Sequence, residues 1–262
     1  MKNPKDFLLV MVLVFLLALF SLTGYFTTQR DKLIDLLFAE KPHTGQVVIL
    51  KIDEESLQSI GQWPWPRAVF GRLVQKLSQA SAVGIDVNFK EPSRWGQQDD
   101  LIFEQALKEA VQPVILTSEI LSLERGAISY PLERFRKNAQ TGFANFKVGS
   151  DGTVRRFLTR CCGEKERSFA LAMLSGHLAW ESQEGRINFL GLAGSAPSFS
   201  VKDVLADKVP KEFLTDKKII IGATAKDLQD FHHTPFGLMS GAELQVNTLE
   251  TFLSQNFLYD LP

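Results

Sequence analysis

The run Val47-Val-Ile-Leu-Lys-Ile52 is nearly all apolar and ends on Asp53-Glu54-Glu55, the pattern of a buried strand with acids at its carboxyl end. Trp63-Pro-Trp-Pro66 follows. Pro66 is placed to open a helix over Arg67 to Ala80, whose Val69, Phe70, Leu73, Val74 and Leu77 recur at helical spacing. A second strand, Ala82 to Val87, comes directly after, giving the strand, helix, strand order of a parallel sheet. Further along, the pattern predicts a helix over Asp100 to Ala110 and a strand over Pro113 to Ser118. It then predicts a helix over Ser168 to Trp180, a strand over Arg186 to Leu190, a central strand over Lys218 to Gly222 and a closing helix over Ala242 to Leu253. Between Leu121 and Lys165 the pieces are short. There Gly149-Ser-Asp-Gly152, set between two strand-like runs, signals a hairpin insertion.

The amino terminus breaks this alternation. Eighteen of the first 26 residues are apolar, and Phe7 to Phe26 carries no charge. Twenty residues in a helix extend about 30 Å, the thickness of a bilayer's hydrocarbon core. We read residues 1–26 as a cytoplasmic tip and one uncleaved transmembrane helix that touches the lipid bilayer through Phe7 to Phe26. One alternative is a cleaved signal peptide, whose basic start Lys2 and Lys5 would supply, although a clean small-x-small cleavage site is missing; the other is a buried helix. Residues 27–41 then form a juxtamembrane helix, residues 42–257 one mainly parallel α/β domain, and residues 258–262 a tail leading towards a possible further membrane region. Either of the first two readings of the amino terminus, anchor or signal peptide, sends the bulk of the chain to the periplasmic or extracellular side.

Composition adds constraints. Apolar residues make up 45% and charged residues 23%, which excludes a disordered chain. With 29 basic and 30 acidic residues there is no basic field, so nucleic acid is not an expected partner. The two cysteines, Cys161 and Cys162, are adjacent and cannot build a disulfide framework, so the domain must rely on its core.

In an open parallel sheet ligand groups gather beyond the carboxyl ends of the strands. Asp53, Asp86, Thr224 and Asp230 fall at such ends, with His232 and His233 close behind. Asp86, inside an apolar strand, needs a partner, and Arg67 is the expected one. The adjacent histidines point opposite ways in an extended segment, so no metal site is assigned. The chain has no Gly-x-Ser-x-Gly elbow, no phosphate loop and no dinucleotide fingerprint, and no cofactor is expected. Trp63 and Trp65 serve either as a ligand platform or as a packed cap.

Longer matches carry a resemblance. Ile52-Asp-Glu-Glu-Ser-Leu57, Gly61-Gln-Trp-Pro-Trp-Pro-Arg67 and Ala82 to Pro92 come first, then Asp99/Asp100, Gly142-Phe-Ala-Asn145, Asp151 to Arg156 and Arg186 to Phe189. Ile219 to Thr224, Asp230, Thr234-Pro235 and Gly241 to Asn247 follow in order. Together they resemble the second type of CHASE domain, the extracellular sensory domain associated with cyclases and histidine kinases. The resemblance implies a non-enzymatic input module of a bacterial signalling receptor, working as a homodimer on an unidentified small-molecule or protein signal. It implies an output domain that this chain does not contain. It also marks Asp53, Ser56, Trp63, Trp65, Arg67 and Asp86 as one edge, with Thr224, Asp230, Glu243 and Asn247 near it. Two other readings compete. One is an anchored metal-dependent hydrolase using Asp53, Asp86 and Asp230, with His232 as a further participant, which requires those carboxylates to converge; the other is a structural envelope domain without a pocket.

Overall fold

The computed structural model describes residues 11, 12, 14, 15, 19, 25–163, 166–174, 180 and 182–258. After helix α1 (Tyr25–Asp35) come β1 (Val47–Ile52), α2 (Glu54–Ile60), α3 (Arg67–Lys76), β2 (Ala82–Asp86), α4 (Gln97–Glu109) and β3 (Val114–Ser122). The middle of the chain gives β4 (Ala127–Ser129), α5 (Glu133–Arg136), β5 (Gln140–Phe143), β6 (Lys147–Val148), β7 (Val154–Leu158), β8 (Arg160–Cys161), β9 (Glu166–Arg167) and α6 (Phe169–Ala172). It closes with β10 (Glu184–Arg186), β11 (Ser198–Ser200), α7 (Val201–Leu205), β12 (Lys218–Ala223), β13 (Phe231–Thr234), β14 (Gly237–Ser240) and α8 (Gly241–Ser254).

The principal sheet runs β11-β1-β12-β2-β3, parallel throughout, with β5 parallel and β4 antiparallel to different stretches of β3. Alternation along each strand divides the core in two. Val48, Leu50, Ile52, Val83, Ile85, Ile219 and Ile221 face α3, α4 and α7, where Phe70, Phe89, Phe103 and Phe135 interlock. Val47, Ile49 and Ile220 face the other way, towards α6, α8 and a small antiparallel sheet of β6, β7 and β10. Gly84 lies on this second face: a Cβ there would sit 2.5 Å from the Phe169 ring, so only glycine lets α6 seat against β2.

Two expectations are corrected. The domain is not mainly parallel, because β4 against β3, β6 and β10 against β7, β8 against β9 and β13 against β14 are antiparallel pairs that make the whole a mixed α/β structure. And among the described residues no helix is long and apolar enough to cross a membrane. Most of the Phe7 to Phe26 span read from the sequence lies outside the described residues. The helix that overlaps its end, α1, is charged: it carries Arg30, Asp31, Lys32 and Asp35, and its two aspartates dock on the domain by ion pairs.

Smaller differences have identifiable causes. The helix expected over Ser168 to Trp180 is confined to Phe169–Ala172 among the described residues, and residues 175–179 lie outside them. The strand expected over Arg186 to Leu190 stops early: Ile187 N–H still donates to Arg155 O of β7, but beyond it α8 takes the amides, with Asn188 N–H donating to Thr251 Oγ1 at 3.0 Å and Leu190 N–H to Asn247 Oδ1 at 2.8 Å.

Candidate functional site

Asp86 is the last residue of β2, Asp230 sits in the turn before β13, and His232 lies on β13. Their side chains meet beyond the carboxyl end of the sheet, on the face covered by α8. His232 Nε2 stands 3.4 Å from Asp230 Oδ1. A Cβ on Gly241 would fall 2.4 Å from Asp230 Oδ2, so the carboxylate rests on the first turn of α8, whose positive end favours it. Asp86 has lost most of its water and faces the charge of Asp230. Burial first and that repulsion second, against a smaller pull from His232, push its carboxyl up to about 7. This cluster can therefore take up or release a proton near neutrality. Thr224 Oγ1, just past β12, is buried and has no hydrogen-bond partner among the described residues.

The other residues marked from the sequence are drawn into structural work. Asp53 caps α2, accepting from Ser56 N–H and from Ser200 Oγ, each at 2.9 Å. Ser56 is buried, 2.8 Å from Ser200 Oγ, and accepts from Lys202 N–H. Glu243 closes a capping box with Ser240 and accepts from Gly194 N–H. Asn247 holds Leu190 and donates to Glu243 O. Trp65 is buried against Phe70, with its Nε1 donating to Gly61 O, and Trp63 stacks edge-on upon it; the packed cap is the arrangement found.

Arg67 does not pair with Asp86. Its Nε donates to Asp100 at 3.2 Å, its backbone N–H to Asp99, and its guanidinium lies 4.7 Å from the centre of the Phe89 ring. The strand carrying Asp86 and the helix carrying Arg67 point these groups to different sides of the sheet. The three carboxylates of the hydrolase reading do not converge either, and among the described residues no group of three or more His, Cys, Asp or Glu is placed to hold a metal ion.

A second cluster was not read from the sequence. Arg155 on β7, buried, donates to Asp35 of α1 at 2.7–3.0 Å and to Asp151 of the hairpin turn at 2.8–2.9 Å. The paired charges hold the Asp151 carboxyl far below the usual carboxylate range and the Arg155 guanidinium above its ordinary value. Arg186 on β10 pairs with Asp31 of α1, and its backbone bridges to Leu258 beyond α8. Asp31 and Asp35, four residues apart on one helical face, were the signal available in the sequence.

The fold is an α/β sheet with helices on both sides and polar clusters at its edges. The chain belongs to the CHASE2 domain family, whose profile matches residues 9–262, and it is a CHASE2-type sensory domain without catalytic function. No curated protein and no solved structure matches the chain.

Proposed function

We propose that the chain is the extracytoplasmic input module of a bacterial signal-transduction protein, and that it passes its state on through α1 and the segment after α8. The observation that carries this reading is the pair Arg155 and Arg186. These two buried guanidiniums on neighbouring antiparallel strands hold Asp35 and Asp31 of α1, and Arg186 also meets Leu258. Lys41 Nζ adds a bond to Asn188 Oδ1, and Asn188 Nδ2 donates to Asn256 O. Helix α1 and the chain leaving α8 thus share one support, and any shift of the β7–β10 sheet relative to the main sheet moves both. A bound signal changes that support only by favouring one packing over another.

Hydrogen exchange tests the coupling. Arg155→Ala is expected to raise exchange of the α1 amides about tenfold or more, because a buried ion pair broken on one side leaves its partners uncompensated. The amides of β1 and β12 should keep their protection. Unchanged exchange in α1 would sink the proposal.

A further inference from the structure

The segment 87–96, between β2 and α4, lies beyond the carboxyl end of β2 on the opposite side of the sheet from the Asp86 cluster. It borders a cavity of about 530 Å³ whose walls include Trp65, Asn88, Lys90, Ser93, Arg94 and Trp95. Trp95 is 55% exposed, whereas Trp65 is 2% exposed. A large ring left in water is informative when its backbone is fixed, and this one is. Trp95 N–H donates to Ser93 Oγ at 3.2 Å and its Nε1 to Pro64 O at 3.4 Å. Ser93 is itself tied to Asp99 and Asp100. The ring is held in place without being covered.

The cations at the rim differ in how they are paired. The Arg94 guanidinium lies 5.1 Å from the centre of the Trp95 ring and donates to Gln62 O, and no carboxylate pairs with it among the described residues. Lys90 pairs with Glu119 at 3.9 Å, and its backbone N–H donates to Asn88 Oδ1. Arg67, deeper in the wall, is already neutralised by Asp100. Glu91 adds one negative charge to the same wall, so what distinguishes the rim is Arg94, a guanidinium beside an exposed ring with no carboxylate of its own among the described residues.

We propose that this cleft is the sensor's ligand site and that it takes a small carboxylate borne on a ring: the ring lies on Trp95, the carboxylate sits between Arg94 and Lys90, and Asn88 hydrogen-bonds the remainder. A planar guanidinium suits a carboxylate, and an indole face suits the flat side of an aromatic ring or a sugar. Aromatic acids and acidic sugars both present this chemistry. The inference rests on the sensory reading above, yet binding is measured on the domain alone, so its failure would leave the α1 coupling result standing.

Titration calorimetry and the shift of the Trp95 indole N–H resonance provide the test, with benzoate against benzamide and glucuronate against glucose. Binding of at least one acid, with its neutral counterpart binding tenfold or more weakly, is the expected result; which acid binds identifies the ring. Trp95→Ala should weaken that binding about tenfold, and Arg94→Gln should abolish the preference for acid over neutral ligand, both in variants whose melting temperature is unchanged. If neither acid binds at millimolar concentration, or binding survives Trp95→Ala, the proposal is overturned. It is also overturned if Trp95→Ala instead abolishes a concentration-dependent dimer, since the ring would then be an interface between copies.

Discussion

The two faces of the principal sheet are held in different ways. Helices α3, α4 and α7 meet one face through rings and aliphatic chains, with Phe70, Phe89, Phe103 and Phe135 in edge-on or tilted contact at 5.0–6.3 Å between centres. On the other face α8 buries Gln245, Asn247, Thr248, Glu250 and Thr251, and Lys218 is sealed beneath it with Nζ donating to Met173 O. Each of those groups finds a partner across elements or within its own helix: Gln245 donates to Ala144 O, and Glu250 accepts from the backbone and hydroxyl of Thr44. Apolar packing tolerates small displacements and fixes no unique register, whereas directional bonds hold one arrangement and fail together when it shifts. A sensor needs both behaviours, and here they are separated by one layer of strands. The α3/α4 face gives the proposed ligand cleft an apolar floor, while the α8 face carries the ion pairs that dock α1.

The contrast breaks most visibly at Phe103. Phe103→Ala leaves a void among three other rings and should cost about 3–5 kcal/mol in chemical denaturation, equally at pH 5 and pH 8. A pH-dependent loss at this position would show that the faces are not independent.

The second effect belongs to the polar face. Between pH about 4 and 7 the folded chain keeps a proton on Asp86 that the unfolded chain has released, so stability declines as pH rises through that window. Asp86→Asn should flatten the decline and be more stable than the parent at pH 8 by about 2 kcal/mol or more, with no difference at pH 3.5. Asp151 acts in the opposite sense. Its depressed carboxyl stabilises the clamp above about pH 4 and that contribution fades as the solution is acidified further. Equal pH profiles for parent and variant would remove Asp86 from the account. The smallest effect is at Ser240, where Ser240→Ala opens the capping box of α8 and should lower stability by about 1 kcal/mol, read from the melting temperature.

Elements whose identity follows from local pattern were legible in the sequence. The apolar runs of β1, β2 and β12, the periodic Val69, Phe70, Leu73 and Val74, the Gly149–Gly152 turn and the closing helix all sit where the pattern puts them. Elements defined by a distant partner were not. Ser198–Ser200 is strand only because β1 offers it an edge, and Asn188 to Leu190 is not strand because α8 takes the amides of Asn188 and Leu190. The same distinction runs through the site residues. Asp86 and Asp230 were placed at strand ends by sequence and do come together, around His232. Asp53 caps α2, a role open to any Asp between a strand and a helix, whereas Glu243 and Asn247 bond backbone brought to α8 from residues 190 and 194, which no local pattern announces. Arg67 found Asp99 and Asp100 because α4 packs on α3, a contact that no spacing along the chain announces.

The place of β12 has a consequence for how the molecule is made. Val47 pairs with Lys218, and the same strand seals β2 on its other edge. During synthesis β1 and β2 emerge early but stay unjoined, each with one apolar edge open, until nearly the whole domain has left the ribosome. The centre of the sheet is its last piece to arrive, so closure rests on contacts between distant parts of the chain, which makes folding slow and nearly all-or-none. A nascent chain stalled before residue 218 carries open strand edges that invite pairing with another copy, and it is at that stage that the protein most depends on being shielded.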